Sequence, residues 1–108
     1  MDIERFEILA RQRFWFCLQL MTGEKHKEYS RDKDKLHNFK VAGRILKSTP
    51  EKALFGMFVK HMVSVMDIVM DLDENKLPNM ETIRDKIGDS INYMVLLEAL
   101  LCERINPR

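Results

Sequence analysis

The chain has 108 residues, 18 basic against 17 acidic, with three histidines and a formal net charge of +1. That length suits one domain with a modest core and excludes two. A charge so near zero gives no global field for nucleic acid or an anionic membrane, while leaving room for a local phosphate site.

Cys17 and Cys102 lie too far apart for the paired spacing of a zinc site or a disulfide framework. They are expected as two buried thiols in a reducing compartment. The opening Met-Asp-Ile-Glu-Arg lacks a continuous apolar signal segment, so a cytoplasmic location is expected.

Ile3 to about Met21 reads as the first helix, because Ile3, Phe6, Leu9, Ala10, Phe14, Cys17, Leu18 and Met21 recur at helical spacing. Phe14-Trp15-Phe16 crowds three aromatics together, so more than one face calls for cover: one for the core, another for a second subunit. Either Thr22-Gly23 interrupts the helix, or helical character continues through Glu24 to Tyr29. Ser30 to Lys35 is the least hydrophobic run and reads as a solvated loop. A shorter helix is expected from about Leu36 to Leu46.

Ser48-Thr49-Pro50-Glu51 is a helix start. Thr49 can cap, Pro50 suits the first turn, and Ser48 with Glu51 has the spacing of a capping box. The helix from Pro50 to about Leu72 is apolar over most of its circumference and is expected to be buried. Lys60, Ser64, Asp67 and Asp71 form a narrow polar strip along it, which reads as too polar for a membrane span. After a polar connector, a last helix is expected from about Glu81 to Arg104. No strand pattern or repeat is visible, so the class is all-α: a compact bundle of about four helices forming a single domain over residues 1–108.

The last helix carries its own strip of Glu81, Asp85, Asp89 and Asn92. A solvated face explains such a stripe as well as a buried one does. The pairing of two strips, each on a mostly apolar helix, favours a shared groove. Carboxylates gathered away from water are costly, and a hard divalent cation removes that cost. Lys60 offers the alternative of a purely structural salt bridge. The segment Glu24 to Phe39 adds Glu28 as an acidic ligand, Lys27 and Arg31 among its phosphate contacts, and Tyr29, His37 and Phe39 as groups to stack on or bond a base. His26, His37 and His61 lack zinc spacing, with His61 the nearest to the groove. No Gly-rich phosphate loop or Cys/His catalytic arrangement is present.

The runs Lys27-Glu28-Tyr29-Ser30, Lys60-His61 with Asp67, and Asp85-Lys86-Ile87-Gly88-Asp89-Ser90-Ile91-Asn92-Tyr93 together carry a family resemblance. The chain resembles the all-α nucleoside triphosphate pyrophosphohydrolases, the MazG-like and dimeric dUTPase-like superfamily. It is most similar to small phage members and nucleotide-modification-associated domains. The last run is similar to that family's acidic-x-x-Gly-Asp-x-x-x-Tyr helix. Two departures stand out: the Glu-Glu-x-x-Glu run has no counterpart, and Lys86 stands where many members place a glutamate.

The resemblance implies magnesium, or manganese in its place, held by Asp67, Asp71, Asp85 and Asp89 with Glu28. Asp85 and Asp89 would be central to catalysis. Lys27, Tyr29, Arg31, Lys60, His61, Asn92 and Tyr93 would bind substrate. The implied reaction takes a nucleoside triphosphate to a monophosphate and pyrophosphate, in a homo-oligomer (dimer or tetramer), with no membrane and no direct nucleic-acid partner. The alternative is a non-catalytic helical module that sequesters a nucleotide or modulates a protein partner.

Overall fold

A computed structural model of the chain describes residues 1–23 and 34–107. Four α-helices carry the described residues: α1 (Ile3–Thr22), α2 (His37–Ile45), α3 (Pro50–Asp71) and α4 (Met80–Ile105). No strand occurs among the described residues. The architecture is an all-α bundle, as the periodicity predicts.

The helix starts follow local chemistry. The Asp2 carboxylate accepts from the Arg5 N–H at 2.8 Å, the Thr49 hydroxyl from the Lys52 N–H at 3.2 Å, and the Asn79 side chain from the Thr82 N–H at 2.7 Å. Each satisfies a backbone donor that a helix start leaves without an intrahelical partner. Glu51 does not complete a box with Ser48. Its carboxylate instead takes both arms of Arg104 from α4, at 2.8 and 2.9 Å.

The core lies where α2, α3 and α4 meet. Leu36, Phe39, Leu54 and Leu100 are buried there, with Tyr93, Leu96, Leu97 and Ala99 packed against them. The link between α2 and α3 is tight. A Cβ on Gly43 would stand 2.8 Å from the Pro50 nitrogen and 2.9 Å from the Thr49 carbonyl carbon, so only glycine lets the two backbones approach this closely. Lys47 takes a left-handed φ of 54° to make the turn.

The first helix is attached differently. It packs on α4 through the buried Cys17, whose thiol donates to the Gly88 carbonyl at 4.0 Å, and through Arg13, which donates to the Arg84 carbonyl at 2.7 Å. The Arg84 guanidinium in turn covers the Phe16 ring at 5.4 Å.

Three expectations need correction. The apolar circumference of α3 is not buried within the single chain: Ala53 and Leu54 are, while Phe55, Met57, Val59, Val63, Met66, Val69 and Met70 are exposed. The described elements packed on it, α2 and α4, leave its outer side bare. The helical run Pro50–Glu74 is also long and apolar enough, by length and composition alone, to cross a membrane. Its polar strip does not remove it from that class, to which core helices of water-soluble proteins belong as well. Finally, Cys17 is buried as expected but Cys102 is exposed, because its position on α4 turns away from the core.

Candidate functional site

Helices α3 and α4 run antiparallel, joined by a connector that includes a short 3-10 turn at Leu72–Glu74. Glu51 meets Arg104 at one end of the pair, and Asp71 and Thr82 line one small pocket at the other. In the middle, His61 of α3 faces α4. Its Nδ1 lies 3.5 Å from the Asp89 carboxylate, and its ring centroid is 4.6 Å from that of Tyr93.

Tyr93 is the hub of this region. Its ring meets Phe39 of α2 edge-on at 6.2 Å and Phe58 of α3 at 6.0 Å. Burial raises the phenol above its ordinary pKa of 10.0, and the negative charge of Asp89 pushes in the same direction. The hydroxyl therefore keeps its proton at neutral pH and remains a donor. One turn before Leu96, the Oδ1 of Asn92 is buried and meets no donor among the described residues. Such an acceptor is costly unless something else satisfies it.

Helix α2 marks one side of the α3–α4 pair. Lys40 of α2 donates to Glu103 of α4 at 2.5 Å, and Gly43 lies against Thr49 and Pro50 at the start of α3. One turn further on, Ala53 is buried, and it begins the strip that continues through Lys60, Ser64, Asp67 and Asp71. On α4, Glu103 shares a helix side with Ala99, Asn92 and Asp85, at spacings of four and seven. Helix faces alone allow both strips to open on one side of the α3–α4 pair.

Being on one side is not the same as forming a cluster. No group of three or more His, Cys, Asp or Glu side chains that could hold a metal exists among the described residues. Asp67, Asp71 and Asp85 are exposed, whereas Asp89 is half-buried. Lys60 is exposed and makes no ion pair with these aspartates. Among the described residues the side-chain hydrogen bond at this turn is the helix's own, from the Ser64 hydroxyl to the Lys60 carbonyl at 3.2 Å. Lys27, Glu28, Tyr29 and Arg31 lie outside the described residues. Phe39 is spent on the core at 8 % exposure, so it offers no open face to a base. His37 is half-buried at the start of α2.

One feature is invisible to sequence spacing. Lys40 is held by two carboxylates at once, Asp34 at 2.7 Å and Glu103 at 2.5 Å, and Asp34 also accepts from the Leu36 N–H at 2.9 Å. Those hydrogen bonds, first from Lys40 and then from Leu36, hold the Asp34 carboxyl below its usual range. They raise Lys40 in return. The Asp34-x-Leu36 turn was the available local signal; the contact to Glu103 spans most of the chain and left none. No known protein family matches the chain, and neither a curated protein nor a solved structure does.

Proposed function

We propose that the chain is a MazG-like nucleotide pyrophosphohydrolase, magnesium-dependent, cleaving a nucleoside triphosphate to a monophosphate and pyrophosphate. One observation carries the reading. The helix register sets His61, from the Lys60-His61 run, directly against Asp89 and Tyr93, from the Asp85–Tyr93 run. These runs lie apart in sequence, and they are two of the three on which the family resemblance rests; the third, Lys27-Glu28-Tyr29-Ser30, lies outside the described residues.

The residues fit a magnesium ion that arrives with phosphate better than one held in a closed cage. Magnesium takes one or two protein carboxylates and completes its shell with water and phosphate oxygens. Asp85 and Asp89, one helical turn apart at the groove, would provide those two. Bound there, the ion would offset phosphate charge and favour ionisation of water. Asp67, Asp71 and Glu28 are secondary candidates from the same strips and the segment before α2.

The chain's own groups have distinct tasks. His61, with Nδ1 3.5 Å from the Asp89 carboxylate, limits where that carboxylate can swing. The Tyr93 hydroxyl, protonated at neutral pH, would donate a hydrogen bond to a bound ligand. Lys60, exposed and the first polar member of its strip, would meet phosphate charge, and the unmatched Asn92 Oδ1 would accept from a ligand N–H or O–H. A cytoplasmic location belongs to the same reading.

A second reading has its own support. The absence of a three-membered carboxylate cluster among the described residues favours a module that binds a nucleotide without turning it over. Pyrophosphate release separates the two. The enzymatic reading expects release from at least one nucleoside triphosphate with magnesium, abolished by Asp89→Asn while the helical circular dichroism persists. Nucleotide binding without release, measured by calorimetry on folded protein across a broad panel, selects the module instead.

A further inference from the structure

Tyr93 is held by three rings, and they do not all come from one helix. Phe58 and His61 lie three residues apart on α3, so they share a face, and the Tyr93 ring packs against both, at 6.0 and 4.6 Å between centroids. The third ring is Phe39 of α2, edge-on at 74° and 6.2 Å, a favoured aromatic geometry. Among the described residues it is the only ring that reaches Tyr93 from outside α3.

The polar contact beside these rings is long. The Nδ1 of His61 stands 3.5 Å from the Asp89 carboxylate, outside the usual range of an N–H···O hydrogen bond, and the Asp89 side chain is 40 % exposed. The imidazole, itself only 18 % exposed, is therefore located by ring packing more than by its polar neighbour. Tyr93 follows Asp89 by one helical turn, and a helical side chain leans back over the turn before it, which carries the phenol ring towards Asp89.

Phe39, by contrast, has nowhere to go. It is 8 % exposed and shares the core with Leu36, Leu54 and Leu100. The next residue, Lys40, fastens α2 to Glu103 of α4. A ring fixed this firmly leaves Tyr93 little room to swing away from α3.

We infer that Phe39 is a positioning residue of the α3–α4 groove: its ring pins Tyr93 onto His61 and so fixes where the imidazole stands beside Asp89. Closed off in the core, Phe39 acts through Tyr93 and not on a ligand. The role rests on the reading of that groove as a nucleotide site, whereas the ring geometry is measured with no nucleotide present.

Proton NMR of the full chain at one fixed pH reads that geometry. In the parent chain, nuclear Overhauser contacts should join the Tyr93 ring to both Phe39 and His61. Tyr93→Leu removes the ring current over His61 and should move its ring protons downfield. Phe39→Leu should move them in the same direction, and the two changes together should move them no further than Tyr93→Leu alone, because groups acting through one contact are not additive. Leu36→Ala, which loosens the same core without taking a ring from Tyr93, should lower the melting temperature and leave the His61 resonances in place. If Phe39→Leu does not fold, Phe39→Met, a flexible filler of core gaps, takes its place, and the Overhauser contacts of the parent still decide. A nucleotide that stabilises the parent with magnesium should bind the Phe39 variant roughly tenfold more weakly, as loss of an outer-shell support costs at a metal site. Missing Overhauser contacts, His61 resonances unmoved by Phe39→Leu or moved as far by Leu36→Ala, or an unchanged nucleotide affinity would each overturn the inference. A parent chain that binds no nucleotide, with the ring contacts intact, would overturn the functional reading beneath it instead.

Discussion

The two ends of this bundle are built on different terms. Where α2 lies across α3 and α4, apolar side chains close on one another and charged groups fasten the edges: Leu54 is 1 % exposed, Lys40 bridges two carboxylates, and Arg104 grips Glu51 with both arms. Where α1 lies on α4, one thiol is buried and two arginines make the remaining specific contacts. The first end is finished within the chain. The second presents an aromatic ridge to whatever comes next. The comparison teaches that the enclosed core and the exposed apolar surface of α1 lie in separate places along α4.

The sharpest way to break that comparison is to truncate one side chain at each end. Leu54→Ala should cost about 2–5 kcal/mol, because it removes a fully enclosed side chain and leaves a cavity. Leu18→Ala, which shortens a side chain already 49 % exposed, should change the melting temperature far less. Equal losses from both variants in dilute thermal melts would show that the two ends are not different after all.

Backbone closeness gives a second, smaller handle. Gly43→Ala drives a Cβ into the Thr49–Pro50 backbone and should destabilise by about 1–3 kcal/mol. Gly56→Ala, where an added Cβ meets nothing, should be stabilising by up to about 1 kcal/mol through helix propensity. A urea titration of both variants checks the contrast in sign. Thr49→Ala, which removes the cap on α3, should fall between them in size at about 1 kcal/mol.

The charged edge predicts the smallest effect and a definite pH dependence. The Asp34 carboxyl is lowered on folding, so its contribution is complete above its ordinary value of 3.8 and is lost as pH falls through the lowered one. Lys40 is raised, so its contribution is complete below its ordinary 10.5 and is lost as pH rises through the raised value. Both groups are partly open to solvent, so the pair should supply no more than about 1 kcal/mol. Lys40→Met should therefore lower stability by up to about 1 kcal/mol around neutral pH and leave both extremes nearly unchanged, so that the profile flattens in melts from acid to alkali.

Much of this was legible in the residues, for identifiable reasons. Thr49-Pro50 announces the start of α3 because capping is local chemistry, and the bounds of α1 and α4 follow from an apolar period long enough to be unambiguous. What periodicity could not report is which neighbour covers an apolar face. The side of α3 bearing Met66 and Met70 reads as core and stands exposed, since α2 and α4, the described helices packed on α3, leave that side bare. The fate of Glu51 was hidden likewise: its spacing from Ser48 suggests a capping box, yet Arg104, distant in sequence, is the stronger partner. At the site, His61 and the Asp89-to-Tyr93 run were singled out, and their meeting depends on the α3–α4 register. The gathering of four aspartates rested on helix faces alone, and faces fix a side of the bundle without fixing a distance.

The account stands or falls on whether the groove between α3 and α4 takes a nucleotide. Thermal melts with a panel of nucleoside triphosphates, each with and without magnesium, test this most directly. The account predicts that at least one of them raises the melting temperature of the parent chain in a magnesium-dependent way, and that the rise vanishes in the Asp85→Asn, Asp89→Asn double variant. A parent chain indifferent to every nucleotide, or a double variant stabilised as much as the parent, would contradict it.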